Sequence, residues 1–539
     1  MDPKTRPLPR RKAQSGGAPF AHRLLHALRI VSQALFFGLF VFLLLRTRYS
    51  GQDVIGPVET FFHFDPLLGL SALIASRALL AVFLWALVPV VLTFVLGRYV
   101  CGWACPLGAV LQFFSFLFKK TRWLVPRHVG ARLLHLKYAI LVATLAASVL
   151  TLDLAGLLDP LSLLTRSLVI AVLPAFVLAT DATLSILPSV GLASLRQSLG
   201  PSFENLTING TFHQGLLVGL LFLGVVLLNL SRERYFCRYL CPAGALFGLL
   251  GRWSLVKVRV DKEKCTECRV CALHCQTQAA PFPNDEWRPG ECVYCYSCSV
   301  RCPTAAITFP VSVAPAKPRQ VDAAGRRWIL SGALGLAAVP LFRISTSGRA
   351  PEKLIRPPGA LPEPRFLAAC VKCGECMKAC PTNGLQPALT QAGPEGLWTP
   401  VLVPRIGYCE YFCSLCTQVC PSGALRELTV REKTEVVIGS AWIKKDRCLP
   451  FVFGRLCTVC EEQCPTSPKA VKLVETEVVG PDGAWAPVRV PVVDLDVCIG
   501  CGICETKCPV EDDPAIYCTS LGESRALESA SSTETLGRG

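Results

Sequence analysis

Cysteine is the residue type in this chain whose number and spacing could do chemistry. Of 29 cysteines in 539 residues, 24 fall into six quartets. Four quartets are spaced C-x2-C-x2-C-x3-C, two have a wider first gap, and proline follows the last cysteine in five. Zinc sites use C-x2-C knuckles separated by a loop, and disulfide scaffolds are short and irregularly spaced. Four thiolates packed within a dozen residues are instead the ligand pattern of a [4Fe-4S] cube. Six such clusters would pass single electrons without needing an acid, a base or a nucleophile.

The quartets form two sets. The first holds Cys265, Cys268, Cys271, Cys275 and Cys292, Cys295, Cys298, Cys302. In paired runs of this kind the fourth cysteine ligates the neighbouring cube. The expected sets are therefore Cys265, Cys268, Cys271 with Cys302, and Cys292, Cys295, Cys298 with Cys275. The second set holds Cys370, Cys373, Cys376, Cys380; Cys409, Cys413, Cys416, Cys420; Cys448, Cys457, Cys460, Cys464; and Cys498, Cys501, Cys504, Cys508. Its two irregular quartets lie between two regular ones. That order suggests a nested arrangement, outer quartets sharing with outer and inner with inner; sequential sharing is the alternative.

Five cysteines remain. Cys101, Cys105, Cys237 and Cys241 belong to an internal repeat, in which Arg98-Tyr99-Val100-Cys101 to Cys105-Pro106 parallels Arg234-Tyr235-Phe236-Cys237 to Cys241-Pro242. The four thiols either meet as a seventh metal or redox site, beside a quinone pocket, or are free thiols in two structural turns. Cys518 stands outside every quartet and reads as a spare thiol or a surface residue. His22, His26, His135 and His213 read as interfacial residues rather than haem ligands. No nucleotide-binding glycine fingerprint or phosphate loop is present.

The elements that hold these residues are of two kinds. Hydrophobic residues make up 51% and charged ones 17% of the chain, below the roughly 25% charge of a soluble domain. Apolar spans at about 28–45, 78–97, 133–152 and 214–230 approach the ~20 residues a helix needs to cross a bilayer. A fifth stretch, 167–188, carries Pro174, Asp181 and Pro188 and suits an interfacial or re-entrant segment better. Connections 98–132 and 231–264 are strongly basic, whereas 46–66 and 153–212 are not. Positive loops stay inside, so four crossings put the amino terminus and the first ferredoxin module in the cytoplasm. The net charge of +16 follows from this membrane pattern, and no nucleic-acid partner is expected.

The expected class is multi-domain, an α-helical membrane bundle of four crossings plus a later anchor, carrying two α+β ferredoxin modules. Its parts are a basic cytoplasmic tail (1–27), a membrane domain with two C-x3-C-P motifs (28–260), a two-cluster module (261–310), a linker (311–365), a four-cluster domain (366–516) and a disordered tail (517–539). Within the linker, Arg326-Arg327 before an apolar run to Phe342 is similar to a twin-arginine export signal kept as an anchor.

At these motifs the chain resembles two electron-transfer families joined end to end. Residues 28–310 resemble the NapH-type membrane ferredoxins, related to the NosR and MauN groups, through Cys101-Gly-Trp-Ala-Cys105-Pro106, Cys237-Arg-Tyr-Leu-Cys241-Pro242, four spans and the two-cluster module. Residues 326–516 resemble the NapG/MauM-type periplasmic ferredoxins through Arg326-Arg327, four quartets and the step from Cys448 to Cys457. The resemblance implies electron transfer across a bacterial cytoplasmic membrane, from quinol toward a periplasmic reductase or other redox protein, as a component of a quinol dehydrogenase. The alternative is an electron-donating maturation factor for a respiratory metalloenzyme.

Overall fold

A computed structural model describes residues 19–47, 49–50, 53–54, 59–77, 81–118, 131–186, 210–280, 287–312, 327, 352–479 and 485–525. Most of the expected basic tail, the apolar run after Arg327 and residues 526–539 lie outside the described residues.

Two described helices are long and apolar enough to cross a membrane, Phe20–Arg46 and Pro160–Ser185. The first contains the expected span 28–45. The other three expected spans fall on shorter apolar helices, Phe83–Leu96, Leu133–Val149 and Gly215–Leu230, so span-length helices do not by themselves make the four-crossing bundle. The stretch 167–188 departs from expectation in the opposite sense, because most of it lies within the second long helix. Pro174 would press its ring on the carbonyl four residues back. A π-turn at Leu168–Val172 widens the helix at that point, which lets it continue through Leu173–Ile186.

Two helices open with the same residues, a repeat the sequence reading did not pick out. Asp65 precedes Pro66–Ser76, and its carboxylate accepts from the amides of Leu67 and Leu68. Asp159 precedes Pro160–Ser167 and accepts from Leu161 and Ser162. In both, aspartate caps the orphan amides while proline fills a position whose own N–H needs no partner.

Contacts with the two cysteine-rich modules mark the ends of the helical bundle. His22 pairs with Ser299 at 2.7 Å and His26 donates to the Cys295 carbonyl at 2.7 Å, while Lys378 reaches the Leu44 carbonyl at the far end of the same helix. The chain then runs from Glu59, which senses Glu375, to Arg98, which donates to the Gly290 carbonyl at 2.8 Å. It returns from Lys137, which donates to Glu291 at 2.6 Å, to Asp153, whose carbonyl accepts from Lys372 at 2.7 Å. A last passage leads from Thr211, whose carbonyl accepts from Asn383, to Leu255, whose carbonyl accepts from Ser312. The described chain thus travels between the two module-bearing ends four times. It enters and leaves residues 153–211 at the same end.

Each ferredoxin unit is closed by pairing the strand before its first quartet with the strand after its second. Arg259–Val260 pairs antiparallel with Ile307–Thr308, and Ser440–Ile443 with Ile516–Thr519; a bridge from Ala360 to Leu425 does the same for the remaining unit. The long hairpin Val471–Val479 with Trp485–Val493 projects from the last unit. The four-quartet domain also extends past its expected ends. Ser520 donates to the Glu352 carbonyl, and Arg525 pairs with Glu363 at 2.5 Å. Residues 517–525 are therefore part of the fold rather than of a tail, because strand pairing at Ile516–Thr519 carries them back across the domain.

Candidate iron–sulfur sites

Each quartet ends on a one-turn helix, such as Ser297–Val300 or Glu375–Lys378, and all but the third, where the helix Leu449–Phe453 follows Cys448, begin in a tight loop. Residues between the ligands take left-handed backbone angles, among them Glu267, Arg269, Tyr294, Tyr296 and Lys372, so the loop curls its cysteines toward one point.

In the first module Cys265, Cys268, Cys271 and Cys302 line a single cavity. Cys298 lies within electrostatic reach of Cys292, Cys295 and Cys275. Both groupings are those expected. In the larger domain Cys380 shares a cavity with Cys409, Cys413 and Cys416, and Cys376 is within reach of Cys370, Cys373 and Cys420. Cys508 joins Cys448, Cys457 and Cys460, and Cys464 joins Cys498, Cys501 and Cys504. The sharing is therefore sequential, first quartet with second and third with fourth, and the nested expectation fails. Strand closure explains it. Each pair of adjacent quartets is one ferredoxin unit, and the irregular gaps lengthen only the loop ahead of the tight C-x2-C-x3-C portion.

All 29 cysteines are unpaired. Among the described residues no three His, Cys, Asp or Glu side chains converge closely enough to hold one metal ion. Thiols that encircle a cavity without closing on a point fit a four-iron cube better than a single zinc. Burial pushes the thiol of Cys271 up to about 11 and those of Cys292 and Cys460 up to about 12. Such thiols stay protonated in the apoprotein, and the positive charge of bound iron would hold them as thiolates.

A hydroxyl stands two residues beyond the fourth cysteine in five of the six quartets. Cys275 pairs with Thr277, Cys302 with Thr304, Cys380 with Thr382, Cys420 with Ser422 and Cys464 with Thr466, at distances from 3.3 to 3.9 Å. In the sixth, Val510 follows Cys508. A ligated thiolate can only accept, so each hydroxyl would donate to a cluster ligand. Sequence reasoning passed over these residues because Cys-Pro-Thr reads first as a turn. Cys518 also corrects an expectation. It is buried, lines the cavity of Cys464, Cys498, Cys501 and Cys504, and shares a hydrogen bond with Cys504. Strand Ile516–Thr519 brings it there, which spacing alone does not reveal.

Both modules meet the helical bundle through the first loop of a quartet. Trp103 donates to the Tyr294 carbonyl at 3.2 Å, and a Cβ on Gly102 would collide with the Val293 carbonyl. At the other end Arg166 donates to the Lys372 carbonyl at 3.1 Å, and a Cβ on Gly156 would collide with the Val371 carbonyl. Cys-Val-x-Cys loops at 292–295 and 370–373 thus seat on glycines in the same way. Beyond these docks the cysteine sets follow in series. Cys298 neighbours Cys271, Cys376 neighbours Cys416, the Cys409 amide bonds the Cys501 carbonyl at 2.8 Å, and Cys460 neighbours Cys504. Cys101, Cys105, Cys237 and Cys241 also gather within reach of one another.

Comparison with known proteins fits this geometry. The chain matches the 4Fe-4S binding domain over residues 78–123 and 214–261, the 4Fe-4S dicluster domain over 369–424, and a 4Fe-4S binding domain over 491–511. The dicluster match takes in the first two quartets of the large domain, in accord with sequential sharing. The methylamine utilization ferredoxin-type protein MauM of Methylorubrum extorquens is 34% identical over 207 residues, 36% of this chain and 87% of the relative. The ferredoxin-type protein NapG of Escherichia coli is 38% identical over 205 residues, 37% of this chain and 86% of the relative. An uncharacterized protein of Methanocaldococcus jannaschii is 25% identical over 256 residues, 47% of this chain and 74% of the relative. No solved structure matches. With its quartets gathered for cubes and most of the length of MauM and NapG covered at these identities, the chain belongs to the family of ferredoxin-type iron–sulfur electron-transfer proteins that includes them.

Proposed function

We propose that this protein is a membrane-bound polyferredoxin that carries electrons through six [4Fe-4S] clusters, between the quinone pool or cytoplasm and a periplasmic redox partner. The ligands are the 24 quartet cysteines, grouped as the cavities group them. A bound cube takes up and releases one electron at a time. The protein's part is to set the cubes in series and to exclude water around them.

The observation that carries this reading is the serial placement of the cysteine sets with a cluster loop seated at each end of the helical bundle. Four passages between those ends support four crossings, made by Phe20–Arg46, Phe83–Leu96, Leu133–Val149 and Gly215–Leu230. With the basic loops inside, the two-quartet module faces the cytoplasm and the four-quartet domain the periplasm. The reading of the amino-terminal half as NapH-type rests on its two C-x3-C-P motifs, which lie in the segments 78–123 and 214–261 that match a 4Fe-4S binding domain. Quinol fits as donor because the docking loops lie where the bundle meets each module. Within the large domain Cys448, Cys457, Cys460 and Cys508 lie at the far end of the series, which makes that set the exit.

The test is anaerobic reduction of the full-length protein in liposomes by a quinol. The expected result is EPR signals from clusters of both modules, with the Cys416→Ser variant blocking reduction of the sets beyond it. A protein that holds all its clusters yet exchanges no electrons with any quinol would overturn the quinone side of the proposal.

A further inference from the structure

Two carboxyl groups are buried against one another where the bundle meets the four-quartet domain. Asp65 is 5% and Asp159 0% exposed, and their side chains share a hydrogen bond. Each also caps its helix. Asp65 Oδ1 accepts from the Leu67 amide at 2.8 Å and the Leu68 amide at 3.3 Å. Asp159 Oδ2 accepts from the Leu161 and Ser162 amides at 3.0 Å. Ionised carboxylates only accept, so a bond between two carboxyl groups requires a proton on one of them. Burial and mutual repulsion keep both from ionising together.

Little positive charge answers the pair. Arg166 lies within reach of Asp159 but gives both terminal nitrogens to the carbonyls of Gly156, Leu157 and Lys372. Pro106–Leu117 and Gly215–Leu227 pack on Pro160–Ser167, Pro242–Leu250 packs on Pro66–Ser76, and none of the three contains Asp, Glu, His, Lys or Arg. Leu136–Val149 brings Lys137 and Tyr138 only at its far end, beside Glu291. Glu363–Ala369 carries Glu363, held by Arg356 and Arg525, and the exposed Arg365.

Polar capacity is left over on the same helix. Asp159 Oδ1 has no donor among the described residues beyond a protonated Asp65, and the Ser162 and Thr165 hydroxyls, both 0% exposed, have no partner among them either. A buried hydroxyl without a partner costs about 1–3 kcal/mol, so two in adjacent turns beside a shared proton point to a path that proton can use. The cysteines are close by. Arg166 neighbours Cys373, and Pro66–Ser76 packs on Glu363–Ala369, the helix that leads into Cys370.

We propose that Asp65 and Asp159 form a proton-holding pair that receives, through the Ser162 and Thr165 hydroxyls, the protons released when a quinol reduces the set of Cys370, Cys373, Cys376 and Cys420. It rests on the reading of the quinone pool as redox partner and places quinol oxidation at the four-quartet end of the bundle. As each quinol O–H bond breaks, its electron enters that set and its proton passes along the hydroxyls to the pair. The pair then holds two protons in place of one, and it releases the extra proton to water before the second turn. Over two turns quinol becomes quinone, two electrons enter the relay and two protons leave.

The test is duroquinol reduction of the full-length protein in liposomes, wild type against Asp65→Asn/Asp159→Asn, with dithionite reduction as the control. Asparagine caps helices as well as aspartate does, and its amide can donate where the shared proton sat, so fold and iron content should hold. The expected result is duroquinol reduction slowed roughly a hundredfold with dithionite reduction unchanged. Infrared spectra of the oxidised proteins read the proton itself. The wild type should show a protonated-carboxyl C=O band, shifted in heavy water, that the variant lacks. Should the double variant hold less iron, Asp159→Asn alone carries the same test. Equal duroquinol rates, or no difference in the carboxyl band, would overturn the pair and leave the relay standing. A wild type reduced by dithionite but by no quinol would overturn the quinone reading and the role of the pair together.

Discussion

Cys518 and Thr466 bring two hydrogen bonds to one set of cysteines, that of Cys464, Cys498, Cys501 and Cys504. Thr466 is the shortest of the five hydroxyl contacts at 3.3 Å. Against the burial that would raise it, hydrogen bonds from Thr466 and the Val471 amide bring the Cys464 thiol below its ordinary range. Donors to cluster sulfur stabilise the reduced form. A hydrogen bond is worth about 0.5–1.5 kcal/mol and tenfold in a one-electron equilibrium is ~59 mV, so Thr466→Val or Cys518→Ala should lower that cluster's midpoint by roughly 20–60 mV. Redox titration followed by EPR checks this, with unchanged iron content as the control. The candidate ligands were legible in the sequence because ligation demands close local spacing. The donors were not, because a hydroxyl gains meaning only once the loop folds it onto sulfur and Cys518 arrives by strand pairing from outside every quartet.

The elements that seat the modules make sharper demands than the spacing of cysteines does. At Gly156 any side chain would strike the Val371 carbonyl. Gly156→Leu should therefore part the four-quartet domain from the bundle, cutting electron passage between the modules at least tenfold while iron per chain stays constant. Stopped-flow reduction of the full-length protein reads the effect. The outer edge of the same domain is held by Glu363, which accepts from Arg356 at 2.6 Å and Arg525 at 2.5 Å. Burial would raise its carboxyl, but the two guanidinium groups hold it below the ordinary value. A carboxylate lowered on folding stabilises the fold above its unfolded value, about 4.3, and that stabilisation is lost as pH falls through the lowered value. Glu363→Gln should cost about 1–3 kcal/mol at neutral pH and show a smaller loss on acidification than the wild type, by thermal unfolding. Hydropathy located the apolar segments but not the helix lengths. Prolines and 3-10 turns shorten some, and the π-turn before Pro174 lengthens another. The nested pairing failed for a related reason: gap length reports loop size, whereas strand closure decides which quartets share.

At the scale of the whole molecule the chain is a line of cysteine sets interrupted by a helical bundle. Apart from the hairpin of Val471–Val479 with Trp485–Val493, its larger domain has short strands and short helices, with buried cysteines forming much of its core. Metal binding therefore supplies folding energy in these modules. Iron chelation under anaerobic conditions should abolish the cooperative unfolding transition of both, while helical circular dichroism from the bundle persists in detergent. The Arg-Tyr-x-Cys repeat was visible in sequence, but the reach of Arg234 in one copy to the Cys101 carbonyl of the other was not, since only the fold brings the two copies together. The most direct test of the central claim is iron, zinc and acid-labile sulfide per chain on anaerobically purified protein, with EPR of the reduced sample. The expected result is at least about 24 irons and as many sulfides, four of each per cube, with magnetically coupled cubane signals. A fully folded preparation that holds zinc, or little iron and no sulfide, would contradict it.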